Sequence, residues 1–365
     1  MNNRVTRLRS IMNEEGLDAC LISAPENRRY LSGFTGSAGY LLITLTEAVL
    51  ATDFRYVEQG ERQCPDFQIH RIKGRFDWLP ELATQLGVKN IGFESGDLTV
   101  GTYNIITDAF QNQKTKNHVA FKPTAGLVDP LRTIKEPEEL ALITRAVEIS
   151  DAAIEAVTAT IEEGETERSV AWRLEKHMRE SGAESIAFDT IVAAGPNSAL
   201  PHHRPSDRSI VAGEPIVIDM GARYQGYNSD ITRTICLGKP DETFRKIYDT
   251  VLIAQLTASA TIQSNMTSGE ADGIARAIIE EAGYGEQFGH SLGHGIGLAV
   301  HEFPRVGPSA EDPLANGTVF TIEPGIYIPG WGGVRIEDTV VMESGQVRAL
   351  TQAHKRDNPK PVPLT

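Results

Sequence analysis

The chain has 365 residues, 40% of them hydrophobic and 23% charged, the balance of a globular protein with a core of ordinary size. Its formal net charge of −14 argues against nucleic acid and anionic membrane as partners, because both require a basic surface. No segment approaches the roughly eighteen apolar residues of a membrane span, and the length is a soft prior for two domains.

The opening segment MNNRVTRLRSIMNEEGL lacks the uninterrupted apolar core of a signal peptide. Val5, Leu8, Ile11 and Met12 instead form a helical stripe, and Gly16 stands where a C-terminal cap belongs. DACLISA (18–24) reads as a short apolar strand and YLLITLTEAVLATD (40–53) as a two-stranded hairpin. FRYVEQGERQ (54–63) can be helical, and FQIHRI (67–72) is again a strand. This alternation predicts a small α/β domain without a glycine-rich phosphate loop. Cys20, Cys64 and Cys236 are odd in number and far apart, so reduced, buried thiols of a cytoplasmic protein are expected.

Prolines and a glycine break the periodicity over 121–139, and the domains are expected to divide at 128/129. Pro137 can occupy the first turn of a new helix. That helix carries Leu140, Ile143, Val147, Ile154, Val157 and Ile161 on its apolar side. A second helix follows Gly164, carries Val170, Leu174 and Met178, and ends at Gly182. The remainder contains an internal echo. GETERSVAWRLEKHMRESGAE (164–184) resembles SGEADGIARAIIEEAGYGE (268–286), and EPIVIDMGARYQGYNSDITRT (214–234) resembles GTVFTIEPGIYIPGWGGVRIEDTVV (317–341). In each of the latter pair an apolar strand ends in an acid, Asp219 or Glu323, and a second acid follows after a short loop, Asp230 or Glu337.

A carboxylate buried without a partner is very costly. Arg223, Arg233 and Arg335 could pair with these acids, but four acids converging from two half-repeats repel one another unless a strongly positive centre lies between them. Divalent metal supplies that centre. HSLGHGIGLAVHEFPR (290–305) adds His290, His294 and His301, with glycines that make a helix improbable there and let backbone pass close to metal and substrate. His294 can be the one nitrogen donor of an oxygen-rich site, a composition that suits manganese or cobalt better than a structural zinc cage. Four carboxylates and one imidazole exceed the needs of one ion and suit two, which can generate a nucleophilic hydroxide.

The stretches ALPHH (199–203), VIDMG (217–221), SDITRT (229–234), GHSLGHGIGLAVHE (289–302), TIEPGIYIP (321–329) and GGVRIEDT (332–339) resemble the pita-bread metallopeptidases, which include aminopeptidase P, prolidase and methionine aminopeptidase. YLSGFTGSAG (30–39) and TDFRYVEQ (52–59) resemble the extra N-terminal domain of the proline-specific members. The resemblance implies a creatinase-like N-terminal α/β domain over 1–128 and a pita-bread domain with an internal pseudo-two-fold over 129–365. It implies that Asp219, Asp230, His294, Glu323 and Glu337 hold two divalent ions, manganese with cobalt or zinc as alternatives, with Asp230 and Glu337 bridging.

By the same resemblance His202 and His301 flank the scissile carbonyl, Glu323 also shuttles a proton, and Arg335 supports Glu337. Tyr327 and Arg305 line the substrate site, and His290 is expected to hydrogen-bond a metal ligand. His203 and His177 read as ordinary residues. The implied reaction is hydrolysis of Xaa-Pro bonds in a dipeptide, with Arg305 binding the proline carboxylate; aminopeptidase action on longer peptides is the alternative. A metal-free creatinase-like enzyme and a non-catalytic binding module are disfavoured by the intact acid and histidine set. A homodimer is expected, with Trp78 packing locally rather than reaching a partner, and the tail KRDNPKPVPLT (355–365) reads as a disordered end.

Overall fold

The structure, a computed structural model, describes residues 3–112 and 119–355. All of the expected disordered tail except Lys355 lies outside the described residues. The chain divides into two compact units, Met1–Arg132 and Thr133–Thr365.

In the first unit, α1 (Asn3–Glu14) buries Val5, Leu8 and Met12, and Gly16 follows in the left-handed region at φ +64°. Next come β1 (Ala19–Ile22), α2 (Pro25–Ser32), β2 (Tyr40–Thr44), β3 (Ala48–Thr52), α3 (Val57–Gln63) and β4 (Gln68–Arg71). The unit closes with α4 (Trp78–Gln85), β5 (Asn90–Glu94), α5 (Val100–Asn112) and β6 (Ala120–Thr124). Helix α2 has no sequence signal beyond Pro25 in its first turn, because PENRRYLS is too polar to display an apolar stripe. Helix α3 starts three residues later than expected, since Asp53 Oδ1 accepts the Arg55 N–H (3.0 Å) and holds 53–56 as a turn.

The six strands form one mixed sheet in the order β4-β3-β2-β1-β5-β6. β1–β2 and β2–β3 are antiparallel, whereas β1–β5, β3–β4 and β5–β6 are parallel. Trp78 is buried against Tyr40, Phe76 and His70, which gives it a local packing role.

The second unit is built from the internal echo. The helix Pro137–Thr158 opens with Pro137 and a reciprocal cap between Glu136 and Glu139. It ends before Ile161, which is nevertheless buried. The helix Glu167–Glu180 is capped by Thr166. Both helices pack Ile149, Ile154, Val170 and Leu174 onto Ile216, Ile218, Ile231 and Ile235, which belong to the antiparallel hairpin Pro215–Met220 with Ile231–Cys236. In the second half, the helices Glu242–Thr261 and Ser268–Glu281, the latter capped by Thr267, cover Phe320, Ile322, Val340 and Met342. Those residues belong to the antiparallel pair Val319–Ile322 with Asp338–Glu343. Two helices on one hairpin is therefore the repeated unit. In each hairpin one acid sits at or just past the end of the first strand and the other immediately precedes the second strand.

Candidate metal centre

Strand pairing brings the acids together. Asp219 lies opposite Thr232 in the first hairpin, two residues beyond Asp230. In the second, Ile322 lies opposite Asp338, so Glu323 and Glu337 face each other just past the paired residues. His294 enters on the short strand Gly293–Gly295, whose Gly295 pairs with Phe320. The glycines here have a different use from the one expected. A Cβ on Gly293 would strike the Thr321 carbonyl, and one on Gly295 the Phe303 carbonyl. The close approach is strand against strand, which lets His294 sit inside a sheet.

All four acids and His294 line a cavity of about 1110 Å³. Asp230, His294 and Glu337 each offer one donor atom within 4.8 Å of the other two. His294 Nε2 lies 3.6 Å from Asp230 Oδ2 and 3.3 Å from Glu323 Oε1. His294 Nδ1 donates to the Gly295 carbonyl (3.1 Å), so its Nε2 lone pair faces carboxylate oxygens. Lone pairs that face each other are relieved by a proton or a cation between them.

The charge balance is equally one-sided. Burial first, then Glu337, Asp219 and Glu323, raises the Asp230 carboxyl well above its usual range. Burial, Glu323 and Asp219 do the same to Glu337. Glu323 is pushed up to about 8, by burial most of all and by Asp219, against the lowering influence of Arg335 and Thr321. Asp219 Oδ1 and Glu337 Oε1 are buried and have no hydrogen-bond partner. Carboxylate oxygens that lack donors, acids that repel, and an imidazole lone pair aimed among them fit divalent cations.

Of the three arginines weighed as partners, Arg335 alone touches this cluster. Arg233 pairs with Asp338 and Arg223 with Glu184. Arg335 Nη2 donates to Asp219 Oδ2 (2.6 Å), so its direct carboxylate partner is Asp219 rather than the expected Glu337. It reaches Glu337 only through Thr232: Arg335 Nε donates to Thr232 Oγ1 (3.1 Å), which donates to Glu337 Oε2 (2.6 Å). The reason is strand geometry. Thr232 stands across from Asp219 in the first hairpin, so one guanidinium reaches both Asp219 Oδ2 and Thr232 Oγ1.

His202, His301, Arg305, His290 and Tyr327 line the same cavity. The His301 ring stands 4.2 Å from that of His294, centroid to centroid. Arg305 Nε donates to Ser291 Oγ (3.1 Å). His290 does not touch one of the expected ligands. It donates from Nδ1 to the Ser291 carbonyl (2.8 Å) and accepts at Nε2 from the Tyr327 hydroxyl (3.0 Å). Tyr327 in turn accepts from Arg335 Nη1 (2.7 Å). Burial drives the His290 pKa down to about 4 and the Tyr327 phenol up to about 12. A neutral imidazole and a protonated phenol thus relay fixed hydrogen bonds from Arg335.

Sequence reasoning missed Thr232 and Thr321, whose hydroxyls hold Glu337 and Glu323 Oε1 (3.2 Å), respectively. Two-residue spacing was the available signal: Thr232 follows Asp230 by two and Thr321 precedes Glu323 by two, the same-side periodicity of a strand. His203, read as ordinary, is fixed to Glu167 (2.9 Å). His177 is not among the residues lining the cavity.

Residues 141–344 match the metallopeptidase family M24, and residues 4–134 match the creatinase/prolidase N-terminal domain. The chain belongs to metallopeptidase family M24. It is 43% identical over 357 residues to a Xaa-Pro dipeptidase from Pyrococcus horikoshii, covering 97% of this chain and 98% of that one. A solved Xaa-Pro dipeptidase from Bacillus anthracis superposes with a TM-score of 0.94 at 42% identity, covering 98% and 99%. An X-Pro aminopeptidase structure from Thermotoga maritima matches with a TM-score of 0.88 at 39% identity, covering 97% and 99%. The fold is accordingly the creatinase-type N-terminal domain followed by the pita-bread domain of these metallopeptidases. Among the described residues no helix is long and apolar enough to cross a membrane.

Proposed function

We propose that this metallopeptidase hydrolyses the bond before proline in Xaa-Pro dipeptides. Asp219, Asp230, His294, Glu323 and Glu337 would hold two divalent ions. The observation that carries the reading is the mutual placement of Asp230, His294 and Glu337, with a Glu337 oxygen left unpartnered at the cavity wall. When bound, the ions supply the Lewis acidity that activates water and polarises the substrate carbonyl. The oxygen-rich donor set favours manganese.

The protein's own groups do the remaining work. A Xaa-Pro bond is a tertiary amide without an N–H, so a site for it must select the ring rather than grip a backbone donor. His202 and His301, on the cavity wall, would orient the carbonyl and donate to its oxygen as charge develops. Burial and His294 lower the His301 pKa, so it would approach the substrate as a neutral donor. Glu323 would take the proton of the attacking water on Oε and return it to the proline nitrogen as the C–N bond breaks. This leaves free proline and the carboxylate of Xaa.

Arg305 uses Nε on Ser291 and would offer its terminal nitrogens to the proline carboxylate as a two-toothed fork. Action on longer peptides is the second reading, favoured by the likeness to the Thermotoga maritima X-Pro aminopeptidase. Comparing a Xaa-Pro dipeptide with a Xaa-Pro tripeptide in wild type and Arg305→Ala separates them. Selective loss of dipeptide cleavage in the variant supports the dipeptidase; equal effects on both substrates support the aminopeptidase. The three cysteines are buried thiols, which supports a cytoplasmic protein. We also propose a homodimer, which light scattering of the purified protein tests directly.

A further inference from the structure

We infer that Glu167 is a positioning residue that aims His202 at the substrate, resting on the role proposed above for His202. Glu167 is fully buried at the start of the helix Glu167–Glu180, and its carboxylate is the hub of the loop that carries His202. Its Oε1 accepts from the Ala194 N–H (2.8 Å) and Asn197 Nδ2 (2.9 Å). Its Oε2 accepts from His203 Nε2 (2.9 Å), the Ser206 N–H (2.9 Å) and Ser206 Oγ (2.6 Å). These five donors fix both ends of the segment 194–206 and its middle, including the residue next to His202. The carboxylate also lies in the first turn of its helix, where negative charge is stabilised.

A buried acid this well satisfied could serve folding alone, but the second half of the unit uses the same device on the other histidine-bearing segment. Asp272, buried on the helix Ser268–Glu281, accepts the Leu292 N–H (2.9 Å) between His290 and His294. Its ion-pair partner Arg276 donates to the carbonyls of Phe288 (3.0 Å) and His290 (2.8 Å). Each half therefore projects a buried acid from its second helix into the backbone of a segment whose histidine reaches the cavity. No hydrogen bond or ion pair joins Glu167 to the proposed metal ligands.

The test is a mutant cycle on Xaa-Pro hydrolysis by the metal-loaded protein, with metal content and thermal midpoint measured for every variant. Glu167→Gln keeps the side-chain size and removes the charge that holds the donors. It should lower kcat roughly 10- to 100-fold, the cost of a small misplacement of a reacting group, with metal content close to wild type and a thermal midpoint lowered by the donor-on-donor contact that the amide introduces. In a His202→Ala background the same change should cost at most about twofold, because the group being aimed is gone.

Unchanged kcat in Glu167→Gln, or a full additional loss in the double variant, overturns the inference. Wild-type activity in His202→Ala would instead refute the role given to His202 and the inference with it. If Glu167→Gln folds poorly or loses metal, His203→Leu, which deletes one donor beside His202, is read by the same criteria.

Discussion

The two halves of the catalytic unit share a plan but not a chemistry. Each contributes two acids from one hairpin, but the second half alone adds the imidazole of His294 and the guanidinium of Arg335. The first half adds the Thr232 hydroxyl that reaches Glu337. Bracing runs across the pseudo-symmetric boundary: Arg335 of the second half holds Asp219 of the first, and Thr232 of the first holds Glu337 of the second. Thr339 likewise donates to the Asp230 carbonyl (2.7 Å). The repeated plan accounts for the four acids, and the differences between the halves account for the groups that brace them. A symmetric site would lack the arginine that offsets part of the repulsion, or would carry two and need less metal.

The strongest way to break this comparison is to remove one acid from each half. Asp230→Ala and Glu337→Ala are each expected to abolish metal binding and peptidase activity, exceeding the roughly 10- to 100-fold cost of losing an outer partner. Metal analysis with a Xaa-Pro assay checks this; full activity in either variant would contradict ligation by that acid.

The cross-brace comes next. Thr232→Val leaves Arg335 Nε and Glu337 Oε2 without their shared hydroxyl in a fully buried site. It should weaken metal affinity about 10- to 100-fold. Thr321→Val, which supports Glu323 within its own half at 3.2 Å, should cost less. Metal titration of the two variants sharpens the comparison, and the reverse order would show that bracing across the boundary is not dominant.

A third difference concerns pH. Folding takes His290 of the second half from 6.5 to about 4, so between those values the unfolded chain binds a proton that the folded chain does not. Protonation of this group alone makes the metal-free protein less stable by about 3 kcal/mol as pH is lowered from 6.5 to 4, while the raised carboxyls of Asp230, Glu323 and Glu337 favour the folded state over the same range. Chemical denaturation of wild type and His290→Gln across that range isolates the His290 contribution: the stability of wild type relative to the variant should fall by that amount.

The smallest effect compares the two capped helices. Thr166→Ala and Thr267→Ala should each cost about 1 kcal/mol. The second should cost slightly more, because the Thr267 hydroxyl also donates to Glu270 Oε2 (3.2 Å), a bond that goes with it. Thermal unfolding of the pair measures the difference.

The hairpins, the start of the helix at Pro137 and the identity of the acids and histidines at the site are written locally in the chain. These are local matters: alternation of apolar residues, an acid at a strand end, a proline in the first turn of a helix, glycines that forbid a helix around His294. The repeat is legible too, because both hairpins carry their acids at corresponding strand positions.

Which group holds which is set by packing in three dimensions. Arg335 lies two residues from Glu337 yet bonds Asp219, 116 residues away. His290 bonds Tyr327 rather than a neighbouring acid, and His203 bonds Glu167. Helix α2 was equally illegible, since its polar sequence carries no apolar period. The physical reason is common to all four. Hydrogen bonding and charge are satisfied by proximity in space, and the packing that creates this proximity leaves no periodic trace along the chain.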